Sequence, residues 1–395
     1  MVNIRYLFVA LYPVGIDAHV QDLTSLLSDE VDDVRMVGIW GLGGSGKTTI
    51  AKAIYNKFCQ SFEGKSFLAN VRETSNLVHL QNQLLSEILK IRKTEVHSVA
   101  EGIFMIKERL CSRRVLVIID DVDKMEQLNA IARRRDWFGP GSRIIITTRD
   151  QHLLKELDVF ATYTTKRMDD SESLELFSWH AFRNNYPTED YIDLSRSVVK
   201  YSGGLPLALE VLGSLLFSRS RPEWESTLER LKKIPNDQIQ AKLKISYDVL
   251  NEFDKDIFLD ISCFFIGMDE SYVQQILDAC GFSPEIGIKV LIDRCLLRVG
   301  ERNKLMMHDL VRDMGREIVR EEYPKEPGER SRLWWHEDVT DILTNHEVRT
   351  SFREKIKVKQ NFVYVHVLQC IREINACELK PIICHESVIS FISYQ

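Results

Sequence analysis

Gly-Leu-Gly-Gly-Ser-Gly-Lys-Thr-Thr, residues 41–49, directly follows the apolar run Val-Arg-Met-Val-Gly-Ile-Trp at 34–40, which reads as a buried strand. Strand, glycine-rich loop and helix in that order describe a phosphate-binding loop. Gly41, Gly43, Gly44 and Gly46, with Ser45 among them, let backbone N–H groups close around phosphate oxygens, and the helix opening at Thr48 adds the positive end of its dipole. Lys47 is expected on the β- and γ-phosphates, the Thr48 hydroxyl on Mg²⁺, and Thr49 at the α-phosphate. A glycine turn in an ordinary βα unit is the plainer reading of the same residues, and the full G-x4-G-K-T spacing speaks against it.

Working outward, Val-Leu-Val-Ile-Ile-Asp-Asp (115–121) is an apolar strand ending in paired acids, which sets carboxylates at the edge of the sheet where phosphates bind. Asp120 is the expected Mg²⁺-side acid and Asp121 the residue to orient an attacking water, so Lys47, Asp120 and Asp121 form the candidate catalytic set. Ile-Ile-Ile-Thr-Thr-Arg (144–149) is a second buried strand ending in a cation, and Arg149 is placed to sense a γ-phosphate. A surface arginine followed by an Asp150 helix cap is the competing reading.

From 34 to about 163, short apolar strands (36–40, 66–70, 115–120, 143–148) alternate with amphipathic helices (47–60, 80–91, 100–110, 124–133), the pattern of a parallel, doubly wound sheet. Beyond Asp169 the period turns helical (171–181, 191–201, 206–217, 224–232). Further helices (238–250, 252–263, 269–280, 284–293, 309–320) flank a strand pair at 296–299 and 304–307, as in a winged helix. The expected fold is an α/β P-loop NTPase followed by a helical bundle and a winged-helix domain. Its expected bounds are an N-terminal remnant at 1–13, the nucleotide-binding domain at 14–165, a helical subdomain at 166–237, the winged helix at 238–345 and an unassigned tail at 346–395.

A chain of 395 residues with a net charge of −6 carries no basic field for nucleic acid. The cluster Arg133-Arg134-Arg135 reads as a solvated helix face. Eight cysteines lack any C-x-x-C pair and read as reduced core thiols, and the seven-residue recurrence of Cys370, Cys377 and Cys384 near His385 matches no zinc spacing. The apolar stretch 6–16 is short and broken by Pro13, so neither a signal peptide nor an anchor is expected, and no segment reaches the roughly 20 apolar residues of a membrane span.

The order of 41–49, Leu-Val-Ile-Ile-Asp-Asp-Val-Asp (116–123), Gly-Ser-Arg-Ile-Ile-Ile-Thr-Thr-Arg (141–149), Gly-Leu-Pro-Leu (204–207) and Met-His-Asp (307–309) resembles the NB-ARC module of plant intracellular immune receptors. Phe-Leu-Ala-Asn-Val-Arg-Glu (67–73), Phe-Leu-Asp-Ile-Ser-Cys-Phe-Phe (258–265) and Asp123 resemble the subclass with a Toll/interleukin-receptor-like N-terminal domain. The resemblance covers about residues 13 to 345. It implies that Val14, Gly15 and Ile16 lie over the adenine, through backbone contacts because Ile-Asp replaces the usual Arg-Glu, and that Leu205 and Pro206 pack at the adenine ring. It implies that His308 touches the ADP β-phosphate and that Asp309 holds that histidine or its neighbouring backbone; without it, Met-His-Asp is only a helix start with Asp as a good cap.

What the resemblance implies for function is an ADP/ATP switch of innate immunity. The ADP-bound state is closed, ATP favours self-association, and hydrolysis is slow, so the chain is at most a slow ATPase. Partners would be the nucleotide, further copies of the chain, and other receptor chains or pathogen effectors indirectly. Neither membrane nor nucleic acid is expected, and the location would be cytoplasmic or also nuclear. About thirteen residues precede Val14 and no leucine-rich period follows 345, so a truncated receptor, an excised central module, or a translation whose last fifty residues read past a splice junction is expected, without NAD-cleaving residues. The alternatives are a turnover P-loop ATPase and a winged-helix DNA-binding regulator. The recognition region of the latter, 284–299, offers only Lys289, Arg294 and Arg298 amid Glu285 and Asp293.

Overall fold

The computed structural model describes residues 6–27, 32–90, 95–335 and 338. Contacts divide the chain into two compact units, Met1–Asp248 with Asp293–Cys295, and Val249–Ile292 with Leu296–Gln395. The readings made on 346–395, among them Cys370, Cys377, Cys384 and His385, lie outside the described residues.

The first unit opens with α1 (Ile16–Leu27), then β1 (Arg35–Trp40), α2 (Lys47–Phe58), β2 (Gly64–Leu68), α3 (Leu77–Leu89), α4 (Val99–Leu110), β3 (Val115–Val122), α5 (Met125–Ile131), β4 (Arg143–Thr148), α6 (Gln151–Glu156) and β5 (Ala161–Thr164). All five strands run parallel in the order β2-β3-β4-β1-β5. Strands covered by helices on both faces must be apolar at successive positions. Met36, Val117, Ile119, Ile144 and Ile146 pack with Leu80, Leu84, Ile88, Ile106 and Leu110 on one face. Val37, Ile39, Ile118 and Ile145 pack with Leu23, Leu27, Ile50 and Ile54 on the other. The doubly wound sheet expected from the alternation is therefore present. Sequence reading left out α1, which has no strong cap signal, and β5, an edge strand of 4 residues.

Five helices complete this unit: α7 (Asp170–Phe182), α8 (Ile192–Ser202), α9 (Pro206–Leu216), α10 (Arg221–Lys233) and α11 (Asp237–Asp248). Asp169 and Glu172 close a capping box on α7, and Pro206 opens α9 at its first turn, where a missing N–H costs nothing. Trp224 is fully buried against Phe177, Phe182 and Tyr191, and its indole N–H donates to the Leu216 carbonyl at 3.0 Å.

The second unit contains α12 (Glu252–Asp260), a π-helical turn (Ile261–Phe265), α13 (Glu270–Ala279), α14 (Pro284–Asp293), whose last residue groups with the first unit, the antiparallel pair β6 (Arg298–Val299) and β7 (Leu305–Met306), and α15 (Asp309–Glu322). Helices with a two-stranded wing are the winged-helix arrangement. The expected single helix over 252–263 instead gives way at 261 to the π turn, where the Ser262 hydroxyl donates to the Leu259 carbonyl at 2.9 Å. Buried Arg332 ties this turn down through Asp256 at 2.9 Å and Asp260 at 2.5 Å.

Two further readings change. Arg133 and Arg134 follow the end of α5 and Arg135 begins a 3₁₀ turn, with Arg134 paired to Asp136 at 2.8 Å, so the cluster is an exposed loop rather than a helix face. Cys59 and Cys263 are buried free thiols, but Cys111 is exposed.

Gly38 shows how tightly the sheet is covered. A Cβ there would stand 2.4 Å from Leu154 Cδ1, and Leu154, fully buried on α6, has nowhere to retreat. Gly38→Val should cost about 1–3 kcal/mol by overpacking, read as a lower urea midpoint with unchanged m-value; an unaltered midpoint would mean that α6 rides loosely on β1.

Candidate phosphate-binding site

The site belongs to the first unit and follows from strand order. Because β3, β4 and β1 are neighbours, their carboxyl ends present Asp120 and Asp121, Arg149, and the 41–46 loop along one edge. Gly44 and Gly46 have φ of 81° and 89°, which glycine adopts without strain, and a Cβ at Gly46 would face open space. Gly46 thus faces open space at the N-cap of α2, next to the helix's first amides.

Lys47 is buried, and its ammonium donates to the carbonyls of Gly41 at 2.8 Å and Leu42 at 2.9 Å. Burial and then the nearby Arg149 cation push its pKa down to about 8. The Thr48 hydroxyl donates to both carboxylate oxygens of Asp120, at 2.9 and 3.1 Å, and Thr147 donates to the same carboxylate at 2.7 Å. Burial raises the Asp120 pKa, and these two hydroxyls oppose the shift. A divalent site built from one hydroxyl and one carboxylate fits Mg²⁺, which keeps several waters and takes phosphate oxygens.

β3 breaks register with β4 between Ile119 and Val122, and Asp121 takes a left-handed φ of 59°. Such a bulge re-aims a side chain at a sheet edge, and Asp tolerates that conformation. The Asp121 N–H is held by the Thr147 hydroxyl at 2.8 Å. Its carboxylate lies 2.6 Å from Arg72 Nη2 and 3.7 Å from Arg149 Nε. Arg149 Nη1 donates to the Lys242 carbonyl at 2.8 Å, and a Cβ on Gly43 would meet that same nitrogen at 2.7 Å. Arg149 therefore lies directly over the loop, and burial lowers its pKa.

The structure also brings the 204–207 segment to the loop. The Leu207 N–H donates to the Gly44 carbonyl at 3.2 Å, and buried Leu205 is the N-cap of α9 with Pro206 next. Ser45 accepts from the Thr165 hydroxyl at 2.9 Å. Half-buried Val14, Gly15 and Ile16 lie nearby in the fold: Gly15 abuts Met168 and Glu172, and the Met168 N–H donates to the Gly204 carbonyl at 3.1 Å. Thr49 follows Thr48 on the first turn of α2.

His308 lies in the second unit. It is itself the N-cap of α15, its Nδ1 accepting from the Leu310 N–H at 3.2 Å, while Asp309 pairs with Arg312 at 3.0 Å. Asp309 is thus not the cap, because the cap position falls one residue earlier, and its carboxylate engages Arg312. Sequence reading gave no role to Arg72, Thr147, Thr165 or Lys242; Arg72 and Thr147 stand inside quoted motifs, and Lys242 acts only through its backbone.

The NB-ARC domain family model matches residues 16–186, and the model of the winged-helix domain of Roq1-like disease resistance proteins matches residues 251–323. Disease resistance protein RUN1 of Vitis rotundifolia is 50% identical over 338 residues, which is 85% of this chain and 25% of that protein. TMV resistance protein N of Nicotiana glutinosa is 43% identical over 341 residues, 84% of this chain and 29% of that protein. The chain thus spans about a quarter of the length of the curated relatives it matches. A Walker-type ATPase of Pyrococcus abyssi superposes with a TM-score of 0.54 at 15% identity, over 78% of this chain and 100% of that one, a likeness of fold.

Polyphosphate beside Lys47 favours its ammonium form, so binding should take up a proton once pH exceeds the value near 8 at which the free side chain deprotonates. Affinity should be flat below that pH and fall above it. Calorimetry in buffers of differing ionisation enthalpy should read uptake approaching about one proton near pH 9 and close to none near pH 7; equal uptake at both would show that Lys47 does not titrate in this range.

Proposed function

We propose that this chain, which belongs to the NB-ARC family of disease-resistance proteins, acts as an ADP/ATP switch within a plant innate-immune receptor. The observation that carries this reading is the placement of distinct groups along one sheet edge, Lys47 at the loop, Thr48 bonded to Asp120 and Arg149 over Gly43, which would serve the β-phosphate, Mg²⁺ and a γ-phosphate respectively. A site with a distinct group for the γ-phosphate can tell ATP from ADP, as a switch requires. Mg²⁺, when bound, neutralises charge on the phosphate oxygens.

Val14, Gly15, Ile16, Leu205 and Pro206 would hold the base, and Ser45, Gly46 and Thr49 would complete the phosphate cradle. His308 is assigned to the ADP β-phosphate on the family resemblance. Contacts of this kind stabilise the closed state only, and the loss of ADP to ATP shifts the population toward a self-associating one. Asp121 orients water for a slow hydrolysis that resets the switch. The signalling partners, whether other receptor chains or effectors, belong to the whole receptor.

A turnover ATPase would use the same residues and is separated by its steady rate. A DNA-binding role is disfavoured by charge: of the three basic residues in 284–299, Arg294 is already paired with Asp150 at 3.1 Å. No helix among the described residues is long and apolar enough to cross a membrane.

Protein purified without added nucleotide and then denatured should release stoichiometric ADP, identified by chromatography. His308→Ala should raise the ADP off-rate by about tenfold or more, the loss of one charge-assisted phosphate contact. An unchanged off-rate would remove His308 from the switch, and an empty protein that hydrolyses ATP steadily would favour the turnover enzyme. Lys47→Arg should abolish retention of nucleotide, because the planar fork cannot replace a compact ammonium beneath the loop.

A further inference from the structure

We propose that Arg72 is a positioning residue that sets how freely Arg149 can reach a γ-phosphate, by competing with it for the Asp121 carboxylate. This rests on the reading of Arg149 given above and deepens it. The three side chains form a row along the sheet edge, from the end of β2 across β3 to β4 and the loop. All three are largely buried, with 16%, 17% and 14% of the Arg72, Asp121 and Arg149 side chains exposed, so solvent screens them little.

One carboxylate between two guanidiniums must divide itself, and here it does so unequally. Arg72 Nη2 stands 2.6 Å from Oδ2, a short charge-assisted contact, while Arg149 Nε stands 3.7 Å from Oδ1, beyond hydrogen-bond reach. Arg149 Nε is buried without a hydrogen-bond partner among the described residues, and the Lys242 carbonyl holds only Nη1. The guanidinium is therefore anchored above Gly43 with donor capacity in reserve, the state in which an arriving anion gains most. Asp121 cannot relax toward Arg149 while Arg72 holds it, since the bulge and the Thr147 hydroxyl fix its backbone. Arg72 is aimed by its own backbone: Asn70 adopts φ 50° before a 3₁₀ turn at Val71–Glu73, which turns the chain at the end of β2 back toward β3.

Removing Arg72 frees Asp121 to close on Arg149 and withdraw it from the phosphate. The γ-phosphate then loses its cation, whereas ADP, which has none, is bound as before. Discrimination should fall while binding itself persists.

The test is the ratio of the dissociation constants for ADP and a non-hydrolysable ATP analogue, measured by calorimetry with Mg²⁺ on the full chain after exchange of retained nucleotide. Arg72→Ala should weaken the analogue by about tenfold relative to ADP. Arg72→Lys, which keeps the charge, should restore most of the ratio. Arg72→Ala combined with Asp121→Asn should restore it as well, because the carboxylate charge that captures Arg149 is gone; a merely structural loss would not be rescued by a second substitution. An Arg72→Ala ratio equal to the parent's, equal weakening of both nucleotides, or failure of Asp121→Asn to rescue would overturn the proposal. Arg149→Ala separates the premise: if it leaves the ratio unchanged while ADP still binds, Arg149 does not read the γ-phosphate and both readings fall together.

Discussion

The site depends on a buried ammonium that the protein only partly compensates. Lys47 meets two loop carbonyls, and Arg149 stands close enough to depress its protonation further. Two cations brought together away from water repel one another more strongly than they would at the surface. Asp120 and Asp121 offset this from the β3 side, but Asp120 is engaged by two threonines and Asp121 by Arg72. The protein alone therefore carries a local excess of positive charge over a loop of amides that also favour anions. A polyphosphate bound there would resolve that excess, and would thereby link ligand binding to the stability of this unit by mass action.

Strand order makes such crowding feasible. Had β1 and β4 not been neighbours, Arg149 would not lie over Gly43, and had β3 not flanked β4, neither acid would reach Thr48 or Arg149. The parallel arrangement brings segments from residues 41, 120 and 149 to one edge because every strand ends there. Burial on both faces fixes the register: a one-residue slip would exchange Val117 with Ile118 between the two cores and carry Asp120 away from α2.

This division explains what was legible in the sequence. The loop, the paired acids and the strand-terminal arginine are local patterns whose chemistry depends on adjacent backbone, so their residues could be named from the chain alone. The Arg72–Asp121 contact joins residues from two different strand ends, and its cue, the bulge at Asp120 and Asp121, is a mismatch with a partner strand that no single strand reveals. Helix α1 escaped because Ile16–Leu27 mixes polar and apolar residues without a capping signature, although it supplies Leu23 and Leu27 to the core. The start of α15 at 309 was legible but its cap was not, because Asp is the commoner cap; here the imidazole of His308 takes that position and the acid falls to the first turn, where the dipole favours it.

The candidate phosphate loop is also the attachment point of α9 within this unit. Gly44 accepts the Leu207 N–H, and a Cβ on Gly44 would lie 2.6 Å from Leu207 Cβ, so the residue must be glycine both for its φ of 81° and for the approach of α9. Pro206, one residue earlier, fixes the direction in which α9 leaves. A displacement of the loop on a change of phosphate occupancy cannot be absorbed by a flexible side chain at this point, because the contact is backbone against backbone with a close-packed Cβ beside it. Either the loop holds still or α9 moves with it. The glycine that shapes the loop is thereby also the residue that couples the position of the loop to that of α9.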